Sequence, residues 1–177
     1  MAEVAIIQKS DIGTYWDFST NVDDEKVSVA ILRAQQTDLE SLLGAPLYYT
    51  FIEDFNGTTF DTAIYQTLYD GGSYTYQGNT IYFRGIKNYL CVSAFIHLVD
   101  IVRINVVRGG QVYKLTEESE YLEDFQIRAD TRKAKSDLVR LERDTIQFIE
   151  ANYSDYPLFK YREYKEMKTS YNFFKIK

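Results

Sequence analysis

The sequence predicts a mainly α-helical fold, a small helical bundle with one protruding β-hairpin and extended N- and C-terminal arms. Three observations carry this. Apolar residues recur at intervals of three and four over most of the chain, the period switches to two between Ser73 and Arg84, and the two ends show no strong period. A chain of 177 residues has the size of one domain and can bury a real core. The organisation expected is a helical domain over 1–157, with its hairpin at about 73–84, and a docking tail over 158–177.

Near the start, Val4 to Ile7 and Ile12 to Phe18 are short apolar or aromatic pieces without helical spacing, which read as an extended arm or loose strand. The first clear helix follows. Asp23 or Asp24 can cap it, Val27, Ile31, Leu32, Gln35, Leu39, Leu42 and Leu43 keep its period, and Gly44 closes it. Pro46 opens a short helix over Leu47 to Phe55 that Asn56-Gly57 ends, and Thr59 to Tyr69 reads as another, stopped by Asp70-Gly71-Gly72.

The runs SYTYQ and TIYFR, separated by Gly78-Asn79, form a β-hairpin with Tyr74 and Tyr76 on one face. A lone hairpin is marginal in water, so it must pack on a helix or on another subunit. From Ile86 to Val107 runs the most apolar stretch. Asn88, Ser93, His97, Asp100, Arg103 and Asn105 are too many polar residues for a membrane span, so it reads as the central buried helix. Val112 to Leu115 is extended, and Thr116 caps a very long helix that Asn152 and Pro157 end. Its middle, RADTRKAKSD, offers little to a core and is expected to face solvent or kink.

Composition narrows the function. Apolar residues make up 45% and aromatics 16%, with 16 Tyr and 11 Phe, which excludes a disordered chain. Tyr joins a large apolar ring to a polar tip, a combination favoured at interfaces as well as on half-buried faces. The net charge of −6 argues against a general polyanion binder. One cysteine, Cys91, sits in an apolar run and can neither staple the fold nor build a Cys-rich metal site, which fits a reducing compartment. The N-terminus lacks the basic start and apolar core of a secretion signal.

No catalytic, cofactor-binding or metal-ligating set is expected. The single histidine, His97, has Asp100 three residues on and Ser93 four before, and reads as a core imidazole satisfied by one of them. Glu117, Glu118, Glu120, Glu123 and Asp124 lack the loop and glycine turn of a calcium site and suit a helix start. The turns at Arg108-Gly109-Gly110 and Asp70-Gly71-Gly72 lack the lysine of a phosphate loop. The basic run Arg128, Arg132, Lys133, Lys135, Arg140 and Arg143 is interleaved with Asp130, Asp137 and Glu142, as in a salt-bridged helix face, although it could also meet DNA.

The ordered set AQQTDLESLLGAPLYYTF (34–51), LYDGGSYTYQG (68–78), FRGIKNYLCVSAFIHLV (83–99), RGGQVYKLTEESE (108–120) and FIEANYSDYPLF (148–159) resembles the head-to-tail connector, or adaptor, proteins of tailed bacteriophages, particularly crAss-like phages. Each piece alone is a helix, turn or cap; the order carries the likeness. The resemblance implies a non-enzymatic virion protein, one subunit of a dodecameric ring below the portal. The ring would be built in the host cytoplasm, bridge portal and tail, and let genome DNA pass through its lumen without specific binding. Its partners would be further copies of itself, the portal protein and adjacent neck or tail rings, with no membrane. The same resemblance makes Tyr74, Tyr76, Tyr82 and Phe83 of the hairpin and Tyr161, Tyr164, Tyr171, Phe173, Phe174 and Ile176 of the tail the candidate partner interface. The competing readings are a helical DNA-binding or packaging-accessory protein of a phage, using the Arg128 to Arg143 run, and a carboxylate enzyme.

Overall fold

Residues 4–16 are no extended arm. In the computed structural model, which describes residues 4–16, 22–107, 110–113 and 120–159, with the side chains of 103–127 excepted, they fold back onto the body. Ile6, Ile7 and Ile12 are buried in the core, each worth about 2 kcal/mol of apolar burial. Helix α1 (Lys9–Tyr15) starts where the Asp11 carboxylate accepts the Gln8 amide at 2.8 Å. Lys9 then holds this segment to the next, donating to the Val22 carbonyl at 2.8 Å and to Asp24 at 2.7 Å.

Asp23 caps α2 (Asp24–Arg33) by accepting the Glu25 amide at 3.0 Å. The helix does not run on as a regular α-helix to Gly44. Ala34–Leu39 is a π-helical turn, followed by α3 (Glu40–Leu43), and Gly44 closes the run with φ +76. Pro46 lies in the first turn of α4 (Ala45–Glu53). Thr59 to Thr62 are not helical. Asn56 Oδ1 accepts the Thr58 and Thr59 amides, Phe55 and Phe60 form a β-bridge, and Asp54 accepts both the amide and the hydroxyl of Thr62, so α5 begins only at Ala63 and spans Ala63–Asp70.

The hairpin is present as β1 (Gly72–Tyr76) and β2 (Asn79–Phe83), antiparallel with Tyr74 opposite Ile81 and Ser73 opposite Tyr82. Its turn is Gln77-Gly78 rather than Gly78-Asn79. Both turn residues have positive φ, +49 and +79, the pattern of a two-residue turn whose twist matches the strands. Two glycines bracket the hairpin at positions where only glycine fits: a methyl on Gly71 would fall on the Phe83 carbonyl, and one on Gly85 on that of Tyr69.

Helix α6 (Ile86–Arg103) is the centre of the body, packing on α1, α2, α5 and α7. It ends earlier than its hydropathy predicts. The run Ile104–Val107, three of whose four residues are β-branched, is β3, paired antiparallel with β4 (Gly110–Tyr113), a second hairpin that sequence spacing does not predict. Helix α7 (Glu120–Ala151) packs along α6 and ends before the turns that carry Tyr156 and Phe159 into the core. Its middle faces solvent at Arg128, Ala129, Arg132, Lys133, Lys135 and Ser136, while Asp130, Thr131 and Asp137 are half-buried and Ala134 is buried. Phe148 of α7 stacks on Phe83 with centroids 4.3 Å apart and meets Tyr74 edge-on at 5.3 Å, which seats the first hairpin against the bundle. Thr116, Glu117, Glu118 and the tail from Lys160 to Lys177 lie outside the described residues.

Candidate functional site

Among the described residues, the buried polar side chains Gln35 and Ser93 gather at the π-helical turn, while Thr145 bonds within α7, donating to the Leu141 carbonyl at 2.8 Å. The extra residue of the π-helical turn rotates Gln35 inward and lets Asp38 face α6. The fully buried Gln35 carboxamide acts as a piece of β-strand: Oε1 accepts the Ile6 amide at 3.1 Å, and Nε2 donates to the Val4 carbonyl at 3.0 Å. Tyr69 adds a third tie, its hydroxyl donating to the Ile6 carbonyl at 2.6 Å.

Asp38 clasps the other side. One oxygen of its carboxylate accepts the Ser93 hydroxyl and lies 3.0 Å from His97 Nε2, while its main-chain carbonyl accepts the Tyr89 hydroxyl at 3.3 Å. Burial pushes the Asp38 carboxyl up, but the hydrogen bonds from His97 and Ser93 and the nearby imidazole outweigh it and hold the group below the usual carboxylate range. The partner expected for His97 is corrected here. It is neither Asp100, which is exposed, nor Ser93, but Asp38, which lies 59 residues away in sequence.

The geometry speaks to chemistry. Ser93 donates to the carboxylate and not to the imidazole, so His97 does not take its proton, and the hydroxyl is not prepared as a nucleophile. Cys91 is buried, and burial, followed by Asp11, pushes its thiol up to about 12. Among the described residues, no group of three or more His, Cys, Asp and Glu is arranged to hold a metal ion, and no helix is long and apolar enough to cross a membrane.

The hairpin residues expected at a partner interface divide by strand alternation. Tyr74 and Phe83 are buried against Phe148, so they belong to this chain's own core, a correction to their expected role. Tyr76 is half-buried beside them. Tyr82 points outward and is 69% exposed. Tyr161, Tyr164, Tyr171, Phe173, Phe174 and Ile176 lie outside the described residues. Periodicity gives no warning of Tyr49 and Tyr153, each 56% exposed, because a single aromatic on the outer side of a helix or turn leaves no pattern.

On α7, Arg128, Arg132, Lys135, Val139 and Arg143 recur at four, three, four and four, which forms one exposed ridge. The interleaved acids Asp130, Asp137, Glu142 and Asp144 are half-buried on its flanks. Two ion pairs are local: Arg140 with Asp137 at 3.1 Å and Arg143 with Asp144 at 4.0 Å.

A family model matches residues 39–169, from the π-helical turn through both hairpins and α7. The chain belongs to DUF6712, a family of unknown function. No curated protein and no solved structure matches it. The DUF6712 region includes Ser93 and His97, the outward Tyr82 and the whole α7 ridge, while Gln35 and Asp38 fall just before it.

Proposed function

We propose that this DUF6712 protein is a non-enzymatic structural subunit of a phage virion, one copy in a dodecameric head-to-tail connector ring that bridges portal and tail. The observation that carries the reading is the outward placement of large Tyr rings, Tyr82 at 69% and Tyr49 and Tyr153 at 56% exposed, on a body whose interior polar groups are paired with one another. Exposed Tyr rings suit contact with other subunits, and the resemblance of five ordered segments supplies the kind of assembly. Mass spectrometry of purified particles, with immunogold labelling, tests it. Peptides of this chain at a fixed ratio to portal, and gold at the neck, are expected; absence from the particle contradicts the reading.

A second reading, a phage packaging-accessory protein that binds duplex DNA, is favoured by the α7 ridge. The net charge of −6 opposes it.

A further inference from the structure

Charge in this chain is segregated. From Ala34 to Phe83 there is no Lys or Arg at all, against Asp38, Glu40, Glu53, Asp54, Asp61 and Asp70. Three of these carboxylates, Glu53 at the end of α4, Asp61 in the 54–62 loop and Asp70 at the end of α5, are exposed, with the exposed Arg84 following β2 beside Asp70. The α4–α5 segment that carries them is one unit, and Gln66 ties the loop to Asp70. Phe51 of α4 stacks on Phe60 of the loop at 4.4 Å and meets Tyr65 of α5 edge-on at 5.8 Å, and the Phe60 amide donates to Gln66 of α5. Tyr49 and Ile64 are exposed large hydrophobics of the same segment. Beside Ile64 opens a groove of about 420 Å³, with Thr67, Ser73, Thr75 and Asp155 in its lining.

The α7 ridge has the complementary character. Arg128, Arg132, Lys135 and Arg143 extend over roughly 22 Å of helix at 1.5 Å per residue, with Val139, 65% exposed, set among them. A row of cations around an exposed apolar side chain matches a carboxylate-rich segment with exposed Tyr and Ile beside a groove. The cations of the ridge and the carboxylates Glu53, Asp61 and Asp70 are all exposed in the same folded chain, so the two surfaces are left to meet between copies. A contact between unlike surfaces of identical chains is heterologous, and repeated with a closing rotation it generates a ring.

We infer that the α7 ridge of one copy docks on the acidic α4–α5 segment of a second copy, and that this contact drives self-association. The inference deepens the connector reading and rests on it for the closure of the ring. The occupant is another copy rather than nucleic acid, because the acidic segment repels a polyanion drawn to the ridge of the same small molecule.

Charge reversal of the full chain tests it, read by sedimentation velocity at low and high salt. Arg132→Glu with Lys135→Glu is expected to weaken self-association by about tenfold or more at low salt, and Glu53→Lys with Asp70→Lys to do the same. Mixing the two double variants should restore association, since each reversed surface then meets an opposite charge. All four positions are exposed, so circular dichroism should show both variants folded. A chain that stays monomeric at millimolar concentration overturns the inference, as does association that neither reversal weakens or mixing fails to restore. Loss of salt-dependent duplex-DNA binding on ridge reversal, with association unchanged, overturns it in favour of nucleic acid. A neck ring of this chain built on other surfaces would refute the contact while leaving the connector reading intact.

Discussion

The Ile6 amide donates to the side-chain oxygen of Gln35 at 3.1 Å, so a carboxamide on the π-helical turn holds the start of the chain as a neighbouring strand would. Gln35→Leu keeps the volume but strands a buried amide and the Val4 carbonyl. The expected loss is about 2–3 kcal/mol in urea unfolding. A change below about 0.5 kcal/mol would mean the segment contributes nothing through these bonds.

Asp38 makes the clasp on α6 sensitive to acid. Its folded-state carboxyl is held below the unfolded value, so its contribution is complete above about pH 4 and is lost as pH falls through the folded value. Wild-type stability should therefore fall more steeply than that of Asp38→Asn on acidification below about pH 4. Urea midpoints collected across that range compare the two, and parallel curves would contradict the assignment.

Gly85→Ala is expected to cost about 3 kcal/mol, because the added methyl meets the Tyr69 carbonyl at a residue with φ +84. Gly57 also has positive φ, +98, but has open space around it. Gly57→Ala should cost distinctly less, and thermal melts of the pair separate steric conflict from backbone conformation.

Phe148→Ala removes the ring shared by Phe83, Tyr74 and Tyr156 and should cost about 3–5 kcal/mol. Hydrogen exchange in β1 and β2 should accelerate with it. Tyr82→Ser, by contrast, is expected to leave stability within about 0.5 kcal/mol and to lower assembly alone.

Local physics made much of this fold legible. The Asp23 cap, the Gly44 stop, the alternation around Tyr74 and the α7 period each depend on a few neighbouring residues. What escaped depends on distance or on a change of period. Residues Ile6, Ile7 and Ile12 have no helical spacing because a seven-residue helix buries only Ile12, and Ile6 is held by Gln35 and Tyr69 from far along the chain. The run Ile104–Val107 is as apolar as the helix before it, and its pairing with Gly110–Tyr113 marks it as strand. At His97 a plausible carboxylate three residues on competes with one 59 residues away, and sequence spacing favours the wrong one. The hairpin Tyr and Phe residues show the limit for interfaces. Alternation separates the two faces of a strand, but which face meets the bundle is decided by Phe148, far along the chain.

Cryo-electron microscopy of the neck of virions whose genome encodes this chain tests the central claim most directly. The account predicts a closed ring of copies of this chain between portal and tail, with the outward Tyr rings at contacts with neighbouring subunits. Neck density fully explained by other proteins would contradict it and leave DNA binding by α7 as the reading to pursue.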